Sequence, residues 1–244
     1  MPRTDAQNTG DSAPEVWDQA ARAYDDERAR DPVYLSCVNE VVRHLGAQRV
    51  PWCLDAGCGT GMTTLLCAQQ ADGVVAVDYS YESLAVLRRK AAGLPILLVQ
   101  ADIKKLPFRD GIFDRAVCAN TLQHLRQGVA QQQAVEELRR VTSQDGRIAV
   151  SVHHYSRAKR RAKWVKEGKP GQQGIDYIFR FSRRELAALT GGRVSAVGFY
   201  ELAAFHRLST GLQSLFFRLF GGLVALAGEG HMLIASIRKA RRRR

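Results

Sequence analysis

A chain of 244 residues with 45% apolar and 25% charged residues has room for one α/β domain with a substantial core, and little left for a second. Its five cysteines form no C-x-x-C pair, which argues against a disulfide framework or paired-thiolate metal site and for buried, reduced thiols in a cytoplasmic protein. The formal net charge of +12 lies in two places, +6 between Arg157 and Lys169 and +6 between Arg238 and Arg244, so the remaining chain is neutral.

Residues 1–13 are small and polar without periodicity and read as disordered, with no apolar run of the kind a secretory signal needs. From Pro14 the spacing of Val16, Trp17, Ala20, Ala21 and Tyr24 places one apolar face on a helix. A second helix is predicted over Val33–Leu45, stopped by Gly46, so that residues 14–46 form a helical lid. The first strand, Trp52 to Asp55, runs into the turn Asp55-Ala56-Gly57-Cys58-Gly59-Thr60-Gly61, which opens a helix over Thr63–Gln70. Glycines at that spacing let a ligand lie against bare main chain, and the following helix start offers unpaired N–H groups. The spacing is not the dinucleotide G-x-G-x-x-G, and no Gly-Lys-Ser/Thr follows, which excludes the P-loop.

Gly73 then permits a turn into the second strand, Val74 to Asp78, an unbroken apolar run suited to burial on both faces of a parallel sheet. Asp78 stands where a carboxylate takes a ribose diol in nucleotide-binding α/β folds; it could also cap the helix that starts near Tyr81. A helix over Ser83–Ala92 leads to strand three, Pro95 to Asp102. Strand four, Phe113 to Cys118, delivers Ala119 to Leu125 to the same edge; a helix over Ala130–Val141 and a turn at Asp145-Gly146 precede strand five, Arg147 to Val152. This alternation predicts a doubly wound, mostly parallel sheet.

The acid-led glycine turn, Asp78, Asp102-Ile103 and Phe113 to His124 occur in order at successive strand ends, where ligands bind in open α/β sheets. Together they resemble the motifs of class I S-adenosylmethionine-dependent methyltransferases, over residues 50–153 and most nearly in the small-molecule subgroup that includes ubiquinone and menaquinone methyltransferases. The resemblance implies a seven-stranded Rossmann-like sheet ending in an antiparallel hairpin, Val194 to Leu202 and His231 to Arg238, with S-adenosyl-L-methionine as cofactor. It implies that Asp55, Gly57, Gly59, Gly61 and Asn120 meet the methionyl part and Asp78 the ribose. Tyr79, Asp102 and the Ile103 N–H would meet the adenine, with Trp17 and Tyr24 closing over the cofactor. No metal is expected. His124, His153 and His154 are the candidate general bases for a hydroxyl or carbon acceptor, each with a structural role as its alternative.

Beyond strand five the chain is individual. The basic insert, 154–181, carries Trp164 and Tyr155 among its lysines and arginines and ends in an extended Tyr177 to Phe181; Ser182 and Glu185 then form a capping box for a helix reaching Leu189. Residues 205–230 are very apolar, but the segment is short and carries Arg218, so it is not read as a transmembrane helix. It can close the substrate pocket, rest on lipid as a peripheral contact, or form a dimer face.

One domain, 14–240, with a basic tail, 241–244, is therefore expected to methylate a small molecule, apolar or lipid-like with an anionic group. Two alternatives stay open. One is an RNA or tRNA methyltransferase that uses the basic insert and tail. Against base-amine methylation, the segment after strand four reads Ala119-Asn120-Thr121-Leu122 and lacks an Asn/Asp-Pro-Pro-Tyr/Phe motif. The other alternative is a non-catalytic, cofactor-binding partner subunit.

Overall fold

The computed structural model describes residues 14–168, 177–197 and 230–239, with positions 212, 215, 219, 220 and 223 between them. The expectations for residues 1–13, for the tail 241–244 and for most of 205–230 lie outside the described residues. Two helices, α1 (Pro14–Arg28) and α2 (Pro32–Arg43), precede the alternating core. That core runs β1 (Val50–Ala56), α3 (Met62–Ala68), β2 (Ala71–Asp78), α4 (Tyr81–Lys90), β3 (Ile96–Gln100), β4 (Phe113–Ala119), α5 (Val129–Val141) and β5 (Thr142–His153). After it come α6 (Arg157–Arg161), β6 (Glu167–Gly168), β7 (Ile178–Phe179), α7 (Arg183–Thr190), β8 (Arg193–Val197) and β9 (Met232–Arg238).

Seven strands make one sheet in the order β3-β2-β1-β4-β5-β9-β8, in which β9 pairs antiparallel with both β5 and β8 and the other pairs are parallel. Successive side chains of the central strands enter opposite layers. Leu54, Ala116 and Cys118 face Ala134, Val135, Leu138 and Val141 of α5, whereas Cys53, Val74 and Val117 face Val41, Val42 and Leu45 at α2 and Cys67 of α3. Burying a Leu or Val side chain fully is worth about 1.5–3 kcal/mol, and a slip of one residue would exchange the two layers, so the register of β1 and β4 is tightly held. Strand order reverses between β1 and β4, and the crevice beyond their carboxyl ends is the natural binding place.

Two strands begin three or more residues earlier than expected. β2 starts at Ala71 because Gly73 is a strand residue: in register with Trp52, it leaves space that a Cβ would take from the indole ring. β5 starts at Thr142, directly after α5, but its register jumps from Phe113↔Thr142 to Arg115↔Arg147, so residues 143–146 bulge, Gly146 folds back against the Thr142 methyl and the Ser143 carbonyl, and regular pairing begins at Arg147 as expected. The capping box at Ser182 and Glu185 is formed.

The basic insert is not a loop of solvated cations. Ser156 caps α6, and Lys159 is 1% exposed, its ammonium donating to the carbonyls of His154 (3.0 Å) and His231 (3.2 Å). Trp164 stacks against two cations, Lys159 at 5.5 Å and Arg180 at 5.2 Å from the ring centre, and Lys166 pairs with Glu185. All five cysteines are buried thiols outside any disulfide. No helix among the described residues is long and apolar enough to cross a membrane.

Candidate functional site

At the carboxyl ends of β1, β2 and β4 a single cavity is lined by the glycine loop, by Asp78 and Tyr79, by Asp102 and Ile103, and by Asn120 and His124, with Trp17 and Tyr24 of α1 across its mouth. Ten of the candidate residues thus meet there although they come from five separate stretches of chain. Four do not line it. Asp55 lies wholly buried beneath the loop, Gly61 packs on Leu87, and His153 and His154, although at the same sheet edge where β5 ends, do not line the cavity; Gln123 stands between, accepting from the His153 N–H at 2.7 Å.

The loop is shaped by main-chain bonds. Gly57 and Cys58 donate to the Val77 carbonyl at 2.8 and 2.9 Å, which draws the turn down onto the end of β2. Gly57 and Gly59 take φ of +75° and +51°, in the left-handed region that costs a residue with a Cβ roughly 1–2 kcal/mol. Their surroundings differ. A Cβ at Gly57 would strike Thr121, whose hydroxyl donates to the Gly57 carbonyl at 3.1 Å, while a Cβ at Gly59 would meet nothing within 4 Å and would project into open cavity.

Asp78 accepts from the Gly59 N–H at 2.7 Å and the Ser80 N–H at 2.9 Å, and so ties the loop to the end of β2. The cap of α4 is Ser80, which accepts from the Ser83 N–H at 3.0 Å; the capping role open to Asp78 is therefore filled by its neighbour. Burial raises the Asp78 pKa against the pull of its three backbone hydrogen bonds. Burial likewise pushes Asp55 to about 7, opposed by the Thr64 hydroxyl that donates to Oδ2 at 2.7 Å and aided by the charge of Asp78; its Oδ1 has no partner. A buried acid beneath the loop and a half-buried one at the cavity wall favour a cationic ligand, which would lower the cost of ionising both.

Asn120 holds φ at +58°, an uncommon conformation for a residue with a side chain, fixed by its N–H donating to the Ser151 carbonyl at 2.9 Å. Its carboxamide N and O are both buried without a hydrogen-bond partner, at the cavity wall. Such unpaired groups are costly, by about 1–3 kcal/mol each, unless a ligand takes them up. On the adjoining wall, Asp102 accepts from the Lys104 N–H at 2.8 Å, which leaves acceptor capacity at its second oxygen beside the Lys104 ammonium at 3.5 Å.

The candidate bases are in distinct settings. His124 pairs through Nδ1 with the Tyr177 carbonyl at 3.1 Å, and since a carbonyl only accepts, the proton is on Nδ1 and the lone pair on Nε2. Burial lowers its pKa to about 4, so the ring is neutral at pH 7, and Trp17 packs edge-on against it at 4.6 Å. His154 is buried with Nδ1 against the Gly230 carbonyl at 2.7 Å. His153 packs 5.3 Å from His231, and burial together with the Lys159 charge holds it well below its ordinary value.

Sequence reading missed the residues that seat the lid. Asp18 accepts from the Ser80 hydroxyl at 2.5 Å and the Glu82 N–H at 3.0 Å, and Lys90 joins Asp25 (2.7 Å) to the Thr60 carbonyl (2.8 Å). Asp18 and Asp25 lie two turns apart and share a face of α1; that spacing was the available signal, but it carried no indication of the partner helix. Lys90→Met removes one partly buried ion pair and its bond to the loop, worth about 1 kcal/mol. Trypsin cleavage behind α1, after Arg28 or Arg30, is expected to speed up about fivefold with the circular-dichroism spectrum unchanged. An unchanged cleavage rate would show that Lys90 does not hold the lid.

Residues 54–150 match the methyltransferase domain family. The chain is 37% identical over 101 residues to a demethylmenaquinone methyltransferase of Thermus thermophilus, covering 40% of this chain and 44% of the relative. It is 29% identical over 156 residues to the demethylmenaquinone methyltransferase of Clavibacter sepedonicus, covering 62% of this chain and 61% of the relative. The chain thus spans about half the length of these curated relatives. In fold it matches the crystal structure of a SAM-dependent methyltransferase of Thermotoga maritima with a TM-score of 0.65 at 18% identity, over 92% of this chain and 98% of that one.

Proposed function

We propose, from the premise that this chain belongs to the class I S-adenosylmethionine-dependent methyltransferases, that it transfers a methyl group from S-adenosylmethionine to a small, partly apolar acceptor. The observation that carries the proposal is the cavity whose wall places the unpaired Asn120 carboxamide, the open main chain at Gly59 and the half-buried Asp78 together, with the buried Asp55 beneath the loop. A ligand with an amino acid end, a ribose and a positive centre satisfies each of these features.

In this reading Gly57, Gly59 and Asn120 hold the methionyl part, with Asp55 and Gly61 supporting the loop from below. Asp78 takes the ribose hydroxyls, and Asp102, Ile103 and Tyr79 hold the adenine. The cofactor supplies an activated methyl on a sulfonium, so what the protein contributes is alignment and exclusion of water. Trp17 and Tyr24 exclude water at the mouth. His124 carries its Nε2 lone pair at the same wall, where it accepts a long hydrogen bond from the Gln123 carboxamide at 3.4 Å; an acceptor hydroxyl would displace that contact and donate to Nε2 in its place. With a pKa near 4 it stays in this accepting form throughout the neutral range. His153 and His154, one strand-end away, remain candidates for the acceptor side of the site.

The relatives' activity on a demethylated menaquinone supports a prenylated hydroquinone as the first acceptor to test. Leu212, Leu215, Leu219, Phe220 and Leu223 are helical and exposed, in keeping with an apolar or peripheral membrane partner. Incubation with methyl-labelled S-adenosylmethionine and a short-chain prenylated naphthohydroquinone is expected to give labelled, organic-extractable product. Label found only in added tRNA, with none in any small acceptor, would contradict the proposal.

A further inference from the structure

A second concavity, of about 630 Å³, opens at the opposite end of the sheet from the cofactor-type cavity, between α2 and the strands β5, β9 and β8. Arg147, Arg193 and Arg238, His44, and the hydroxyls of Ser195 and Ser236 line it, and its lining holds no carboxylate. The register explains the crowding. Arg147 of β5 stands directly opposite Arg238 of β9, and Arg193 of β8 stands opposite Ser236, two residues from Arg238 on the same face. Like charges directly opposite on a sheet are destabilising, so the three cations are a cost to the fold unless an anion lies between them. None of the three guanidinium groups pairs with a carboxylate among the described residues; Arg147 reaches only the Leu45 carbonyl, at 3.5 Å. Glu40, on α2, is engaged by Arg43 at 2.9 Å and by Nε2 of His44 at 3.6 Å. Behind the wall the buried Arg115 adds a fourth guanidinium, bonded to the Gly46 carbonyl at 2.7 Å.

We propose that this concavity is a binding site for a phosphoryl group, separate from the methyl-transfer site. Guanidinium forks match phosphate oxygens two at a time; at the floor His44 holds the Ser236 hydroxyl at Nδ1 (2.5 Å) and the Ser195 hydroxyl at Nε2 (3.5 Å), and where the ring donates to them those hydroxyl hydrogens face the ligand. Three arginines exceed what a single carboxylate needs and suit a ligand with two or more charges. The charge comes either from a small phosphorylated molecule or from the backbone of an RNA strand, toward which the sequence beyond Lys239, with Arg241 to Arg244, adds further cations.

The test is calorimetric titration of the full chain with pyrophosphate at low ionic strength, beside Arg193→Gln and Arg238→Gln, singly and together. Both arginines are exposed, so these variants keep the fold, which circular dichroism checks. The wild type is expected to bind below millimolar, with saturating pyrophosphate raising the thermal midpoint by about 4 °C. Each single variant should weaken binding at least tenfold, and the double variant should lose the thermal shift, with S-adenosylhomocysteine affinity unchanged throughout. Displacement of pyrophosphate by a single-stranded RNA 12-mer, with steep salt dependence, would identify backbone phosphates as the ligand; failure of the RNA to compete would identify a small phosphorylated molecule. No pyrophosphate binding, or binding that survives in the double variant through the intact tail, would overturn the proposal.

Discussion

Gly59→Val is expected to lower the affinity for S-adenosylhomocysteine at least a hundredfold while the protein still folds. The backbone at this position has φ of +51°, and nothing lies within 4 Å of where a Cβ would stand, so the new side chain enters the cavity rather than the core. Left-handed geometry costs a branched side chain about 1–2 kcal/mol or somewhat more, which a domain with a core of this size survives. Gly57→Val provides the contrast. Its side chain would strike Thr121 under the loop, so it should lower the thermal midpoint by several degrees, where Gly59→Val changes chiefly binding. Equal loss of stability in both, with ligand affinity retained by Gly59→Val, would mean that the loop is a turn and no more.

Asp78→Ala should weaken the same ligand at least a hundredfold and also loosen the fold. Truncation removes the acceptor for the Gly59 and Ser80 N–H groups, each about 1–3 kcal/mol if left buried and unsatisfied, and the carboxylate proposed to hold the ribose diol. Asp78→Asn separates the two effects. The amide oxygen keeps one of the backbone bonds, so the variant should remain folded and still lose more than tenfold in affinity. Wild-type affinity in Asp78→Asn would reduce Asp78 to a loop tie.

The sheet was legible in the sequence because its strands are short apolar runs closed by Asp55, Asp78 and Asp102, with glycine turns between them. The same periodicity put α5 within a residue of its observed start, Val129 in place of Ala130. It misplaced the start of β2, because Gly73 reads as a turn unless one knows that Trp52 lies across it in the neighbouring strand. The packing inside the basic insert was not legible for a related reason. Composition records a lysine's charge but not its burial, and Lys159 is buried because the His154 and His231 carbonyls converge on its ammonium. Motif spacing gathered the cavity residues, yet gave no sign that Asn120 would be strained and unpaired, nor that Asp18, Asp25 and Lys90 would seat the lid. Those facts depend on contacts between segments more than sixty residues apart or on a single backbone angle.

The most direct test of the account is calorimetric titration of the purified chain with S-adenosylhomocysteine. A single site in the micromolar range is predicted, lost in Gly59→Val and unaffected in Arg193→Gln. No binding in a protein that circular dichroism shows to be folded would contradict the assignment of the cavity and with it the proposed methyl transfer.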